Sequence, residues 1–412
     1  MPKPEDVAIR MLPAAGKKIQ YLVGAPEGFR DMRPRTPYND LACDFLNSLS
    51  AALRADKEAK AHPDVISFAY WCRRANIARL KQEFEETRPR LGLGLAFHIA
   101  PSNVPINFAF SFSFSLLAGN ANIVRVPSKD FPQTTVVCGA IRRLCGDAKY
   151  EEIGRENAFV KYEQDDAITG AFSEICHARI IWGGDQTIQH IRHLPTPERC
   201  VEIAFADRYS FCVLDGPSVF HADDGTIRRL AASFYNDTYL MDQNACSSPH
   251  LIVWLGDDDV VSKAKEKFWS SVHEVAMAKY DLQPVNVVDK FTLLCENAID
   301  LENIGGFKKH GNYIYRLALD ALPPELDTLR GIYGFFYEYN TPDLNSLAPV
   351  VNEKYQTLTY FGVDKTTLLD FVIKNRLRGI DRIVPIGAAL DIGVIWDGYD
   401  LVRSLSRVIE IK

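Results

Sequence analysis

The chain has 412 residues, more than a single hydrophobic core ordinarily fills, so two domains are the first expectation. It is 47% apolar and 24% charged, the balance of an ordinary globular protein without low-complexity tracts. A formal net charge of −6 argues against nucleic acid or an anionic membrane surface as its partner.

The opening stretch MPKPEDVAIRMLPAAGKK carries acids and prolines where an export signal has an apolar block, so a cytoplasmic protein is expected. Its nine cysteines, at 43, 72, 138, 145, 176, 200, 212, 246 and 295, are odd in number and lack CxxC spacing. That fits reduced thiols better than a disulfide framework or a zinc site. Up to about residue 90 the pattern is helical and solvated: ALRADKEAKAHPD is a charged surface stretch, and FAYWCRRANIARLKQEF has apolar residues at helical spacing. LGLGLAFHIA then reads as a glycine-spaced apolar strand, PSN as a turn, INFAFSFSFSLLA as a helix and ANIVRVPS as a second strand.

No charge occurs between Ile99 and Val124. Pro101, Asn103, Pro105 and Asn107 crowd the start of that segment and Gly119-Asn120 ends it. The purely apolar part is therefore shorter than the roughly 20 residues of a membrane span, and a buried core helix is expected.

The alternation continues with TTVVCGAIRRLC (helix), NAFVKYE (strand), DAITGAFSEIC (helix), ARIIWGG (strand), DQTIQHIRHL (helix) and the strands of ERCVEIAFADRYSFCVLD. Continuous apolar strands between helices predict a doubly wound parallel sheet, covered on both faces, to about residue 205. GTIRRLAASFYNDTYL, SPHLIVWLG and DDDVVSKAKEKFWSSVHEVAMA open a second α/β region. Less regular sequence is expected over 283–350, then a helix at KTTLLDFVIKNRL, mixed strand and turn in DRIVPIGAALDIGVIWDG, and a terminal strand SLSRVIEIK. The expected divisions are 1–205, 206–385 and a C-terminal segment 386–412.

Chemistry concentrates in a few places. Cys246 lies in the polar loop DQNACSSP just before the apolar run LIVW, where a thiol is more accessible than in a core and can act as a nucleophile. His250, four residues on in extended chain, is too far along for a simple thiolate–imidazole pair and reads as a packing or surface histidine. Trp182-Gly183-Gly184-Asp185 joins a strand to a helix, either as a phosphate-holding turn or as a packing turn. Arg125-Val126-Pro127-Ser128-Lys129 follows a strand and is either a ribose- or phosphate-binding end or a solvated loop. Asn103, between two prolines, is either a turn residue or, if something reactive faces it, a rigid oxyanion donor. His190 and His193 lack a third metal ligand, and Asp257-Asp258-Asp259 suits a helix start.

In chain order these segments resemble the aldehyde dehydrogenase superfamily over roughly 90–375, and more closely the LuxC-type acyl-CoA reductases. PSNVPINF is similar to the superfamily's Pro-Trp-Asn-Phe-Pro segment, and LLAGNANIVRVPSKDFPQT to its AGN…VLKPSE…PLT segment. IIWGGDQTIQHI resembles its FTGS…IG turn, DQNACSSPHLIVW its cysteine loop, and Asn-Glu-Lys-Tyr-Gln at 352–356 its Glu-x-Phe-Gly segment. RIVPIGAALDIGVIWDGYDLV is LuxC-like and departs from ordinary aldehyde dehydrogenases.

The resemblance implies an aldehyde-dehydrogenase-like α/β fold of two doubly wound parallel-sheet domains, a nucleotide-binding one and a catalytic one, with a C-terminal oligomerisation strand. It implies Cys246 as nucleophile, Asn103 as oxyanion donor, Glu353 at the nicotinamide ribose, and Ser128 and Lys129, with Arg125 near, at the adenosine ribose. Gly184 and Asp185 would lie by the phosphates or nicotinamide end. Glu202 falls near the family's general base but lacks the glycine pair that follows it. Lys129 stands where the superfamily has a glutamate, which predicts NADPH over NADH. The implied activity is reduction of an acyl thioester, acyl-CoA or acyl-protein, to an aldehyde through an acyl-cysteine. Rivals are an oxidative aldehyde dehydrogenase, an acyl-phosphate reductase and a non-catalytic acyl-carrying subunit. Implied partners are an acyl-transferase or acyl-protein synthetase subunit and further copies of the chain, since SLSRVIEIK has the alternation of an edge strand.

Overall fold

The computed structural model describes residues 19–25, 32–84, 88–102 and 104–412. The described residues fall into two compact units, those within 1–206 together with 394–412, and those of 207–393. The segment expected at 386–412 is thus divided at Val394.

The first unit contains β1 (Gln20–Val23), β2 (Arg90–Gly92), β3 (Leu95–Ile99), β4 (Ala121–Arg125), β5 (Asn157–Lys161), β6 (Ala178–Trp182) and β7 (Val201–Phe205). Six of them make one sheet in the order β1-β5-β4-β3-β6-β7, parallel except for β1. Every residue of β3 and β6 is buried, as strands covered on both faces require. The order reverses at β3: one connection leads outward to β4 and β5, and β6 returns to its other side. The crevice at the carboxyl ends of β3 and β6 is therefore this sheet's topological switch point, the usual ligand position in open α/β sheets.

The uncharged segment forms the helix Asn107–Leu117, with all eleven residues buried. Its aromatic side chains meet helices and sheet alike. Phe110 packs on Phe68 and Trp71, and Phe112 lies 4.9 Å from Phe159 of β5 and 6.5 Å from Phe45. Being enclosed on all sides explains its all-round apolar sequence. No helix among the described residues is long and apolar enough to cross a membrane. Two of its three serines are satisfied internally: Ser113 Oγ donates to Ala109 O at 2.8 Å, and Ser111 Oγ joins His98 and Trp182, while the buried Ser115 hydroxyl finds no partner among the described residues.

The terminal strand is shorter than SLSRVIEIK suggests. Only Ser406–Val408 is strand, and it pairs antiparallel with β2 inside the first unit.

The second unit carries β8 (Tyr209–Asp215), β9 (Pro249–Leu255), β10 (Ile304–His310), β11 (Ile314–Leu319), β12 (Phe335–Thr341), β13 (Tyr355–Phe361) and β14 (Arg382–Pro385). They form one sheet in the order β10-β11-β12-β9-β8-β13-β14, parallel but for β10. The helices Asp224–Thr238 and Asp258–Lys279 cover one face around Phe234, Phe268, Trp254 and Trp269. Region 283–350, expected to be less regular, instead holds the helix Pro284–Asp300 and three strands. Its pattern is masked because β11 and β12 bury a charged pair, Arg316 and Glu338, that breaks the apolar runs.

Candidate active site

Cys246 sits where the sequence suggests, in a loop that enters β9 from the amino ends of the parallel strands. The loop is held in an uncommon backbone. Asp242 and Gln243 both adopt left-handed φ, 53° and 60°. Such strain persists only when the surroundings enforce it. Gln243 does so: it is buried, its Oε1 accepts from Gly334 N at 2.7 Å, and its Nε2 donates to Phe335 O at 3.0 Å. Tyr280 donates its hydroxyl to Asp242 at 2.6 Å. The loop is thereby fastened to the start of β12.

The cysteine's own backbone is fixed from the other side. Ser210 Oγ donates to Cys246 O at 2.7 Å and accepts from Thr357 N at 3.1 Å. Ser248 Oγ donates to Asp237 O at 2.7 Å. The half-buried thiol receives the side-chain amide of Gln356, whose Nε2 lies 3.5 Å from Sγ. Gln356 is fully buried on β13, beside a register irregularity between Tyr355 and Leu358. Irregularities of this kind re-aim side chains near active sites.

His250 is a packing histidine, as its spacing implies. It is buried, stacked on Tyr209, and its Nδ1 faces Gly331 O at 3.1 Å, which puts the proton on Nδ1. Burial, reinforced by Arg330, pulls its pKa down to about 3, so the ring is neutral. Glu353 lies exposed in the turn before β13, 3.4 Å from Arg378.

In the first unit the cofactor candidates gather at the carboxyl ends of neighbouring strands. Arg125 ends β4 with its guanidinium 4.6 Å over the Tyr162 ring, and Nη2 donates to Tyr162 O at 3.4 Å. Ser128 is half-buried, and exposed Lys129 stands 5.4 Å over Phe131. Gly184 and Asp185 follow β6 and start the helix Asp185–Arg192, Gly184 as its N-cap. A Cβ on Gly184 would meet nothing within 4 Å, and its φ of −67° suits any residue. Internal packing does not require glycine there; its bare backbone leaves room for something approaching from outside. The turn and the β4 end flank β3 on either side, so these residues share one edge of the sheet.

Glu202 is elsewhere. It pairs in register with Arg179 at the amino-terminal half of β6 and β7, away from Gly184 and Asp185 at the carboxyl end of β6. Arg179 donates to its Oε2 through Nε at 3.0 Å and Nη2 at 2.6 Å, and Arg192 donates to Oε1 at 2.7 Å. Burial favours its protonated form, but the two arginines outweigh burial and hold the carboxyl below its usual range. Asn103 lies outside the described residues. No group of three or more potential metal ligands occurs among the described residues, and His190 pairs with Asp166 at 2.8 Å.

Sequence reasoning missed the residues that build the thiol's surroundings: Gln243, Ser210, Gln356, Thr357 and Arg382. The signals present were the polar DQN before the cysteine and Gln356 standing where the resembled Glu-x-Phe-Gly segment has glycine.

A search of curated proteins finds no match. Solved structures share the fold at low identity. The glyceraldehyde-3-phosphate dehydrogenase GapN from Methanocaldococcus jannaschii, complexed with NADP, superposes with a TM-score of 0.61 and 12% identity, covering 99% of this chain and 92% of that one. A 1-pyrroline-5-carboxylate dehydrogenase from Thermus with bound NAD gives 0.60 and 13%, covering 98% and 95%. An NAD-dependent benzaldehyde dehydrogenase from Corynebacterium glutamicum gives 0.60 and 12%, covering 98% and 88%. The fold is that of the aldehyde dehydrogenases. The family model described as acyl-CoA reductase (LuxC) matches residues 73–409, and with that match the chain belongs to the LuxC acyl-CoA reductase family.

Proposed function

We propose that the chain reduces a fatty acyl thioester to an aldehyde with NADPH, and that Cys246 carries the acyl group between the two halves of the reaction. The observation that carries this reading is the fastened, strained loop that presents a half-buried thiol to a buried amide donor. A thiolate attacks the thioester carbonyl, the carrier thiol departs, and an acyl-cysteine remains. Asn103 is assigned to the oxyanion of the tetrahedral species, where loss of one donor typically costs ~10²–10³ in rate. Bound reduced nicotinamide supplies the hydride that brings the acyl carbon to the aldehyde level. Cleavage of the carbon–sulfur bond then returns Cys246 as thiolate.

NADPH is preferred to NADH on the charge at the end of β4. Arg125 and Lys129 offer two cations there, with Ser128 between them, and a lysine attracts a 2′-phosphate where an acid repels it. The unobstructed backbone of Gly184 supports the diphosphate contact, and Glu353 is assigned to the nicotinamide ribose. Glu202, with both oxygens engaged by arginines, serves the first unit's integrity rather than water activation. A reductase gains from that, since an activated water would hydrolyse its own acyl-cysteine. Partner subunits that donate acyl groups, and self-association, accord with the family.

The test is NADPH oxidation against acyl-CoAs from acetyl to myristoyl, with the aldehyde identified by mass spectrometry. Aldehyde formation from at least the longer chains is expected. Oxidation of added aldehyde with no reduction of any thioester would favour the oxidative reading instead.

A further inference from the structure

We infer that Gln356 is a positioning residue for the Cys246 thiolate, and that Arg382, acting through Thr357, fixes which end of the Gln356 amide faces the sulfur. The inference rests on Cys246 being the nucleophile and deepens that reading.

The argument is one of donors and acceptors. Arg382 Nη1 lies 3.3 Å from Thr357 Oγ1, and a guanidinium has only donors, so the hydroxyl oxygen accepts. The hydroxyl proton is then left to point onward to Gln356 Oε1 at 3.3 Å. With its carbonyl oxygen taken, the amide turns its NH2 toward Cys246 Sγ at 3.5 Å. The first link permits one direction only, and the structure orders the other two in the same sense. The chain of donors runs from a permanent cation to the sulfur and ends in an N–H, which stabilises a thiolate far more than a thiol.

The start of the relay is itself immobilised. Arg382 lies opposite Thr357 in the β13–β14 register, and its guanidinium also holds Ala388 O, Ala389 O and Asp391 O at 3.3, 3.0 and 2.9 Å. The same segment is gripped from its amide side by buried Asp237, which accepts from Gly387 N at 2.6 Å and Ala389 N at 3.0 Å. Thus RIVPIGAALD, which reads in sequence as mixed strand and turn, is a clamp whose charged end reaches the thiol through two side chains. No imidazole is needed in the relay, consistent with a neutral His250 committed to Gly331 O.

The test follows the thiol, not the turnover. Alkylation of Cys246 by iodoacetamide is measured against pH by mass spectrometry of its peptide, on the full chain without acyl donor. Gln356→Leu is expected to move the titration midpoint up by about one pH unit, slowing alkylation at pH 7 several-fold. Thr357→Val, which frees the amide to flip, should shift it in the same direction, while Thr357→Ser, which keeps the hydroxyl, should restore the parent midpoint. This pair separates the relay from general loosening, and serves if Gln356→Leu does not fold. Unchanged midpoints in folded Gln356→Leu or Thr357→Val protein would overturn the inference, as would equal shifts in the valine and serine variants. Acyl labelling of Cys246 in the parent chain reports separately on the nucleophile. Labelling with immobile midpoints defeats the relay alone, and shifted midpoints without labelling defeat the proposed function while leaving the relay standing.

Discussion

Arg179 grips Glu202 through two nitrogens, at 3.0 and 2.6 Å from one carboxylate oxygen, and Arg192 takes the other at 2.7 Å. Arg179 is almost fully buried and also donates to Ile191 O and Leu194 O, so it ties β6 to the end of the helix Asp185–Arg192. Glu202→Gln is expected to leave acyl transfer to Cys246 intact and to lower stability by about 1–2 kcal/mol, since a charged acceptor is exchanged for a neutral amide beside a buried cation. Urea unfolding and acyl labelling of the same variant check both halves.

In the proposed reading, cofactor choice turns on the end of β4. Lys129→Glu replaces an attraction for a 2′-phosphate with a repulsion, and should weaken NADPH binding about tenfold or more, a change of about 1.4 kcal/mol or greater. NADH binding should change little. Fluorescence titration of the two nucleotides against parent and variant measures the ratio, and equal weakening of both would remove Lys129 from the phosphate site.

Two buried histidines set an acid limit on the fold. His98 accepts from Ser111 Oγ at 2.7 Å and donates Nε2–H to Asn122 Oδ1 at 3.0 Å, continuing a chain that begins at the Trp182 indole and passes to Asn157. Burial lowers the His98 pKa to about 4, and the His250 pKa to about 3 with Arg330 assisting. Both folded values are depressed, so the unfolded chain binds protons first. The stabilisation is complete above the unfolded value of about 6.5 and is lost as pH falls toward the folded values. At pH 5 each histidine should have cost about 2 kcal/mol relative to pH 7.5. NMR should show both imidazoles untitrated between pH 8 and 5 in folded protein, and a ring titrating near 6.5 would contradict the assignment.

Glu338 is the electrostatic keystone of the second unit. Its Oε1 accepts from the indoles of Trp254 and Trp269 at 2.9 and 2.8 Å, and its Oε2 accepts from Arg316 at 3.1 and 3.0 Å. Burial pushes its pKa up, but Arg316 and Lys265 prevail and hold it below the usual range. Glu338→Ala leaves two indole N–H groups unmatched and the buried guanidinium with only His310 at 3.3 Å and Glu266 at 4.0 Å among the described residues, and should cost about 3–5 kcal/mol, read from the urea midpoint and tryptophan emission.

How much of this was legible from sequence differs by region. The alternating strands and helices of residues 90–205 announced a parallel sheet because both faces are covered and apolar residues dominate strands such as LAFHI and ARIIW, which are buried from end to end. The Cys246 loop stood out because a polar turn meets a buried strand. Region 283–350 did not, since Arg316 and Glu338 interrupt β11 and β12, and the helix Pro284–Asp300 leaves Val285, Val288, Phe291 and Ile299 exposed. Glu202 looked like a candidate base by position along the chain; register alone shows that Arg179 faces it. The relay from Arg382 was illegible for a plainer reason: it joins three distant segments through a local irregularity in β13, which no periodicity records.

The central claim is that the sulfur of Cys246 bonds to the acyl carbon, and radiolabelled acyl-CoA tests it most directly. Without nicotinamide, the parent chain should retain one label per chain on the peptide containing Cys246, released by NADPH as aldehyde, and Cys246→Ala should retain none. Label that persists in Cys246→Ala, or that maps to another residue in the parent, would contradict the account.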